Sequence, residues 1–167
     1  MVYVSPFIRT QETAKIIAET LNLDAKNVIT DDRIHEVYTG ELDGKSDAEY
    51  QRFFESRLEK FTKKPVGGED YMEIKNRMTE FVYDINSKNK NKNILIISHN
   101  TPIWLMFAGV AGLTPDKAIS LRQEAHDFIK NSEVKEMPFA PIPHNHNYEL
   151  DLHRPYIDNL VFNCTCG

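Results

Sequence analysis

Apolar and polar positions switch between two periods along this chain, and the switches mark its elements. Met1 to Val4 reads as a short β-type run that stops at Ser5-Pro6. From Arg9 to Leu21 the residues Thr13, Ala14, Ile16, Ile17, Ala18 and Leu21 recur at helical spacing. Val28 to Thr30 is a short strand. Ile34 to Asp43 alternates loosely and carries Gly40, so it reads as strand passing into loop. Ser46 with Glu49 three residues on is a capping-box pattern. It predicts a helix to about Thr62, with Tyr50, Phe53, Phe54, Leu58 and Phe61 as its apolar positions. Lys63 to Gly68 breaks the chain. Glu69 to Ser87 is the clearest helix, with Ile74, Met78, Phe81, Val82 and Ile85 on one face. Lys88 to Asn93 is a polar loop. Ile94-Leu95-Ile96-Ile97 is continuously apolar, as in a central parallel strand buried on both faces. It ends at Ser98-His99-Asn100. Thr101-Pro102 opens an apolar helix that closes at Gly112.

Strands alternating with helices predict an α/β fold, a three-layer sandwich around a mostly parallel sheet. The composition shifts after about Ser120, and residues 123–132 read as one more short helix. The chain therefore divides into 1–120, a connecting helix or linker over 121–132, and a segment over 133–167. Pro138, Pro141 and Pro143 deny that last segment regular pairing. It is expected to form an extended tail that does not join the core. With 167 residues, 41% hydrophobic and 27% charged, the chain has room for one domain and an appendage. A net charge of −5 lacks the basic balance that nucleic-acid grooves favour. No apolar run approaches the about 18 residues of a membrane span, and Met1 opens no signal peptide. The expectation is a cytoplasmic protein with no membrane partner. Cys164 and Cys166 are separated by one residue, which suits a metal pair better than a structural disulfide. They read as half of a zinc site that only a longer chain completes.

Open α/β sheets place their sites at the carboxyl ends of parallel strands. One candidate strand ends at Ser5-Pro6 and delivers Arg9. Another ends at Ser98 and delivers His99. An arginine at a helix start is able to fork two oxygens of a phosphate. A histidine between a buried strand and a helix N-terminus stands where anions are favoured. Glu36, in the loop-like stretch between them in sequence, is a candidate proton source. Taken singly, Arg9 reads as a surface residue at a helix start and Glu36 as a solvated one. His99 reads equally as a ligand and as a packed residue.

The run Ser5 to Ala14 resembles the SPLxRAxQTA signature of the histidine phosphatase (phosphoglycerate mutase-like) superfamily. Arg33 to Gly44 resembles its LxExxxGxxEG block, Gly67-Gly68-Glu69-Asp70 its GGES helix start, and Ile94 to Ile103 its VLVVSHGxxI strand and turn. The motifs stand in family order over about residues 1 to 113. The resemblance implies that Arg9 and His99 hold a transferred phosphoryl group and that Glu36 is the general acid. It implies no metal or other cofactor, because cationic side chains neutralise the charge instead. It also implies a phosphorylated small molecule, or phosphate, as partner. The family's nucleophilic histidine lies in an Arg-His-Gly triplet on a strand before the Ser-Pro motif. No such triplet occurs among the 167 residues, and Asn100 stands where the family has glycine. The expectation is an N-terminally incomplete domain, inactive alone, with an exposed sheet edge where the first strand belongs.

Tyr148 to Phe162 resembles a block of isoleucyl-tRNA synthetases that reads close to DLHRPYIDEI. A Cys-x-Cys-Gly element follows it here, as Cys164-Thr165-Cys166-Gly167. This resemblance implies a fragment of a synthetase-like polypeptide whose remaining chain is a partner and whose tRNA contacts belong to the parent. The alternative is a non-catalytic phosphate-binding or structural insert.

Overall fold

The structure is a computed structural model and describes residues 1–123 and 128–153. β1 (Val2–Val4) is the middle strand of a three-stranded parallel sheet. β2 (Val28–Thr30) flanks it on one side and β3 (Leu95–Ile97) on the other, with Val2 opposite both Val28 and Leu95. Parallel neighbours need long crossovers. α1 (Ile8–Thr20) lies in the first, and α2 (Asp47–Arg52) and α3 (Tyr71–Lys88) lie in the second. α4 (Asn100–Val110) and α5 (Pro115–Gln123) follow β3.

Side chains alternate across a strand, so β1 feeds two layers. Tyr3 meets Phe81 of α3 edge-on at 5.4 Å and belongs to the main core. Val2 and Val4 face the other way, where α1 contacts the sheet and buries Thr10 and Ala14. Helices therefore cover both faces, as a three-layer α/β fold requires. α3 starts at a capping box formed by Asp70 and Glu73, and its predicted apolar face is buried. α4 packs closely on α3 because Gly109 has no side chain. A Cβ there would stand 1.8 Å from Thr79 Oγ1. The Trp104 indole donates to the Ala118 carbonyl at 2.9 Å and fixes α5 against α4.

Several elements differ from the sequence reading. The helix expected from Ser46 to Thr62 has its capping box but ends at Arg52. The Ser56 hydroxyl accepts the Glu59 N–H, and the Glu59 carboxylate accepts the Glu55 N–H. These side chains take donors that a continued helix would use, and a 3-10 turn at Glu59–Phe61 results. The expected strand from Ile34 is instead two 3-10 turns, Asp32–Ile34 and Gly40–Leu42, the first capped by the Asp31 carboxylate. α5 was not foreseen, although Pro115 at its first position is a helix-start signal. The helix expected over 123–132 is absent from its described part. Phe128 and Ile129 are bends, and the Lys130–Glu133 turn is closed by the Glu133 carboxylate on the Lys130 N–H. β3 carries the pattern of a central strand yet is an edge strand among the described residues, and it is only partly buried.

The expectation that residues after about 132 avoid the core does not hold for 137–150. The Lys75 ammonium is fully buried and donates to the carbonyls of Leu113 and Asn147 at 2.7 and 2.9 Å. Phe139 and His144 meet the Tyr83 ring edge-on at 5.0 and 5.3 Å. The Leu150 N–H donates to Gly112 O at 3.0 Å. The prolines do not prevent this docking, because it uses side chains and single backbone bonds rather than a ladder. Tyr156, Ile157, and the run Leu160 to Phe162 lie outside the described residues.

Candidate functional site

β1 and β3 are adjacent and parallel, so their carboxyl ends open onto one place. Ser5 follows the first and Ser98 the second. α1 starts two residues after Pro6, with Arg9 in its first turn. His99 is the N-cap residue of α4. The positive ends of both helices therefore face this site.

His99 is buried and held from both ring nitrogens. Arg9 Nη2 lies 2.8 Å from Nδ1, and Ser5 Oγ lies 2.8 Å from Nε2. A guanidinium only donates, so Nδ1 accepts. The proton of the neutral ring then sits on Nε2 and is donated to Ser5. Burial pushes the His99 pKa down to about 4, and the charges of Arg9, His35 and Arg77 push in the same direction. Phe7 packs edge-on against the ring at 5.1 Å. Glu36 Oε2 lies 3.5 Å from Nδ1 and 3.4 Å from Arg9 Nη2. Nδ1 carries no proton, so the carboxylate pairs with Arg9 and not with the ring. Burial pushes the Glu36 carboxyl up, against the lowering effects of the Val37 N–H and of Arg9. The structure thus brings Arg9, Glu36 and His99 together at the carboxyl end of the sheet.

The loop that carries Glu36 is fastened to the start of α3. Arg77 donates to both Glu69 carboxylate oxygens, at 2.8 and 3.0 Å, and to Arg33 O at 2.7 Å. Glu69 Oε2 in turn accepts the Tyr38 N–H at 3.2 Å. His35 stacks on Tyr38 with ring centroids 3.9 Å apart, and its Nδ1 donates to the Glu36 carbonyl. Burial lowers the His35 pKa as well. Gly40, with φ +56°, lets the strand-like segments close, since a Cβ there would lie 2.1 Å from Val66 O. The sequence reading gave no role to Ser5, His35, Glu69 or Arg77. The first three stand inside recognised motifs. Arg77, in the middle of a helix, has no local signal.

A groove of about 1520 Å³ leads from this cluster along β3. Arg9, Glu36 and His99 line one end of it. Cys164 and Cys166 lie outside the described residues, so the structure does not place the half zinc site.

The family model for the histidine phosphatase superfamily (branch 1) matches residues 1–132. The chain is 29% identical over 122 residues to phosphoserine phosphatase 1 of Hydrogenobacter thermophilus, covering 70% of this chain and 56% of that protein. Its fold is similar to that of a mycobacterial glucosyl-3-phosphoglycerate phosphatase, with a TM-score of 0.62 and 20% identity, covering 72% of this chain and 61% of that one. The same mycobacterial enzyme is known in complex with inorganic phosphate, at TM-score 0.60, 20% identity and coverages of 72% and 62%. Bacillus stearothermophilus YhfR is similar at TM-score 0.60 and 22% identity, over 71% of this chain and 60% of that one. The chain spans about 56–62% of the length of these relatives. With a family model covering most of its length, and with the three-layer fold and the Arg9–His99 arrangement in place, this chain belongs to the histidine phosphatase superfamily, branch 1.

Proposed function

We propose that Arg9 and His99 bind the phosphoryl group of a phosphomonoester, and that Glu36 donates the proton its leaving oxygen needs. The observation that carries this reading is the fixing of His99 between the Ser5 hydroxyl and the Arg9 guanidinium, at the ends of two adjacent parallel strands. Both contacts of Arg9 use Nη2, and its side chain is 58% exposed, so the rest of the fork is presented to solvent. A phosphate dianion arriving beside His99 favours the protonated ring, which then donates from both nitrogens. Burial that raises the Glu36 carboxyl suits it to proton donation. The reading calls for no metal, since cationic groups meet the charge.

The reaction needs a nucleophile for a covalent phosphoryl intermediate, and the 167 residues hold no Arg-His-Gly triplet. General acid catalysis supplies only about 10²–10⁴-fold. Phosphomonoester hydrolysis requires accelerations of up to about 10²¹-fold. This chain is therefore expected to bind phosphate without turning over an ester. Calorimetric titration with inorganic phosphate and orthovanadate tests the first half. Arg9→Ala and His99→Ala should each weaken binding at least about tenfold, while Glu36→Gln retains it. A robust rate on para-nitrophenyl phosphate, abolished by His99→Ala, would instead make His99 the nucleophile.

A second reading concerns the setting of the domain. The string Asp151 to Asp158 supports a place within an isoleucyl-tRNA synthetase-like polypeptide, where zinc would need ligands beyond Cys164 and Cys166. In that setting the domain is either catalytic or a phosphate-binding or structural insert. Sequencing the genomic DNA on both sides of this frame tests it: an Arg-His-Gly codon run upstream favours the catalytic form, and a synthetase motif downstream favours the fusion.

A further inference from the structure

Glu36 lies outside any helix or strand. Residues 35–38 fall between the two 3-10 turns, so no ladder of backbone bonds fixes them. A side chain from α3 fixes them instead. Arg77 Nη1 donates to the Arg33 carbonyl at 2.7 Å, ahead of Glu36 in the chain, and Nη2 lies 3.5 Å from the carbonyl of Glu36 itself. The same guanidinium forks the Glu69 carboxylate. Glu69 accepts the Tyr38 N–H on its side chain at 3.2 Å and gives its own N–H to the Tyr38 carbonyl at 2.9 Å, past Glu36 in the chain. The backbone is therefore gripped on both sides of Glu36. The Arg77 and Glu69 side chains are only 13% and 15% exposed. A buried ion pair seldom stabilises a fold more than an apolar pair of the same volume, so what this pair contributes is geometry. A planar fork holds a carboxylate and two carbonyls at once, whereas an ammonium is a single point.

We propose that Arg77 is the positioning residue for Glu36: it clamps the backbone on both sides of that residue and so keeps the carboxyl beside Arg9 and His99. The proposal rests on the reading of Glu36 as proton donor at a phosphate site, because a donor acts only where the leaving oxygen stands. Around Glu36 stand Arg9 of α1, Arg77 of α3, His99 of α4 and Tyr50 of α2, with His35 next to it in the loop. Burial raises the Glu36 carboxyl, and Arg9, 3.4 Å away, pulls it back down. The size of that pull reports where the carboxyl is held.

The test is a double-mutant cycle, read by carboxyl NMR of the full chain with isotope-labelled glutamate. Glu36→Gln identifies the signal. Arg9→Met removes a cation from the carboxyl and should move its titration to higher pH. In Arg77→Lys, which keeps the charge and loses the fork, the same Arg9→Met change should move it by about half as much or less. Arg77→Met combined with Glu69→Gln should reduce the Arg9 effect equally. That pair removes both buried charges together and so leaves no lone carboxylate to unfold the chain. Ile85→Val takes a methyl from the buried face of the same helix, about two turns beyond Arg77, and should leave the Arg9 effect whole. An Arg9 effect of the same size with and without the Arg77 fork would overturn the proposal. So would an effect that shrinks as much in Ile85→Val, because it would then follow stability and not the clamp. An Arg9 effect missing from the parent chain would overturn it as well, since Glu36 would not be held at Arg9. Calorimetry with inorganic phosphate is separate. A chain that shows the Arg77 dependence but binds no phosphate keeps the clamp and fails the phosphate reading, and one that binds phosphate without the dependence fails the clamp alone.

Discussion

His99 sets the pH response of the molecule through one ring. Its folded pKa of about 4 lies below the unfolded value near 6.5, so the unfolded chain binds the proton more readily. The stability that the neutral ring contributes is complete above about pH 6.5 and is lost as pH falls through 4. That loss is on the order of 3 kcal/mol for a ring this deeply buried. Urea midpoints at pH 7 and pH 4 should therefore separate more for the parent chain than for His99→Asn. Equal separations would mean that the ring takes up its proton at the same pH in the folded and the unfolded chain. Arg9, Glu36 and His99 were legible through the short motifs that carry them and not one at a time, since each taken singly also has an ordinary surface or packing reading. Their supports were not. Ser5 meets His99 across 94 residues and Arg77 meets Arg33 across 44, and no period or spacing in the chain encodes such pairings.

At the level of elements, the legible pieces are those whose caps and faces agree. α3 combines an Asp70–Glu73 box with an unbroken apolar stripe, and both signals point to the same helix. α2 has an equally good box but a competitor downstream, Ser56 with Glu59, whose local bonds end the helix early. Apolar content alone does not reveal that competition. The helix pair α3 and α4 depends on a missing side chain. Gly109→Val would drive a branched side chain into Thr79, which stands 1.8 Å from even a Cβ. The cost should be about 2–3 kcal/mol, read as a lowered urea midpoint with unchanged slope. Gly109→Val combined with Thr79→Ala should recover part of it, since the clash is with that side chain. No recovery would place the strain in the backbone.

At the scale of the whole molecule, the described segment 137–150 packs on the same core as the helices. Lys75 shows why: its ammonium is buried and spends its donors on one carbonyl from the α4–α5 turn and one from the tail. A chain ended after residue 132 leaves that ammonium and the Tyr83 ring uncovered. Its melting temperature should fall by roughly 5–10 °C. An unchanged melting temperature would show that the tail lies on the core without stabilising it. The sequence misled here because proline spacing reports on ladders, and this segment docks by aromatic edges and isolated bonds. The pairing of β1 with β3 has a further consequence for biosynthesis. The strand made first must wait for a strand some 90 residues later, since Arg9 and His99 are 90 residues apart. At about 5–20 residues per second on the ribosome, that wait is roughly 5–20 s. For that interval one edge of the Val2–Val4 strand is a template without its partner, although β2 is already available for the other. A nascent-chain binding factor that holds short apolar segments would find a target there for as long as β3 is still to be made.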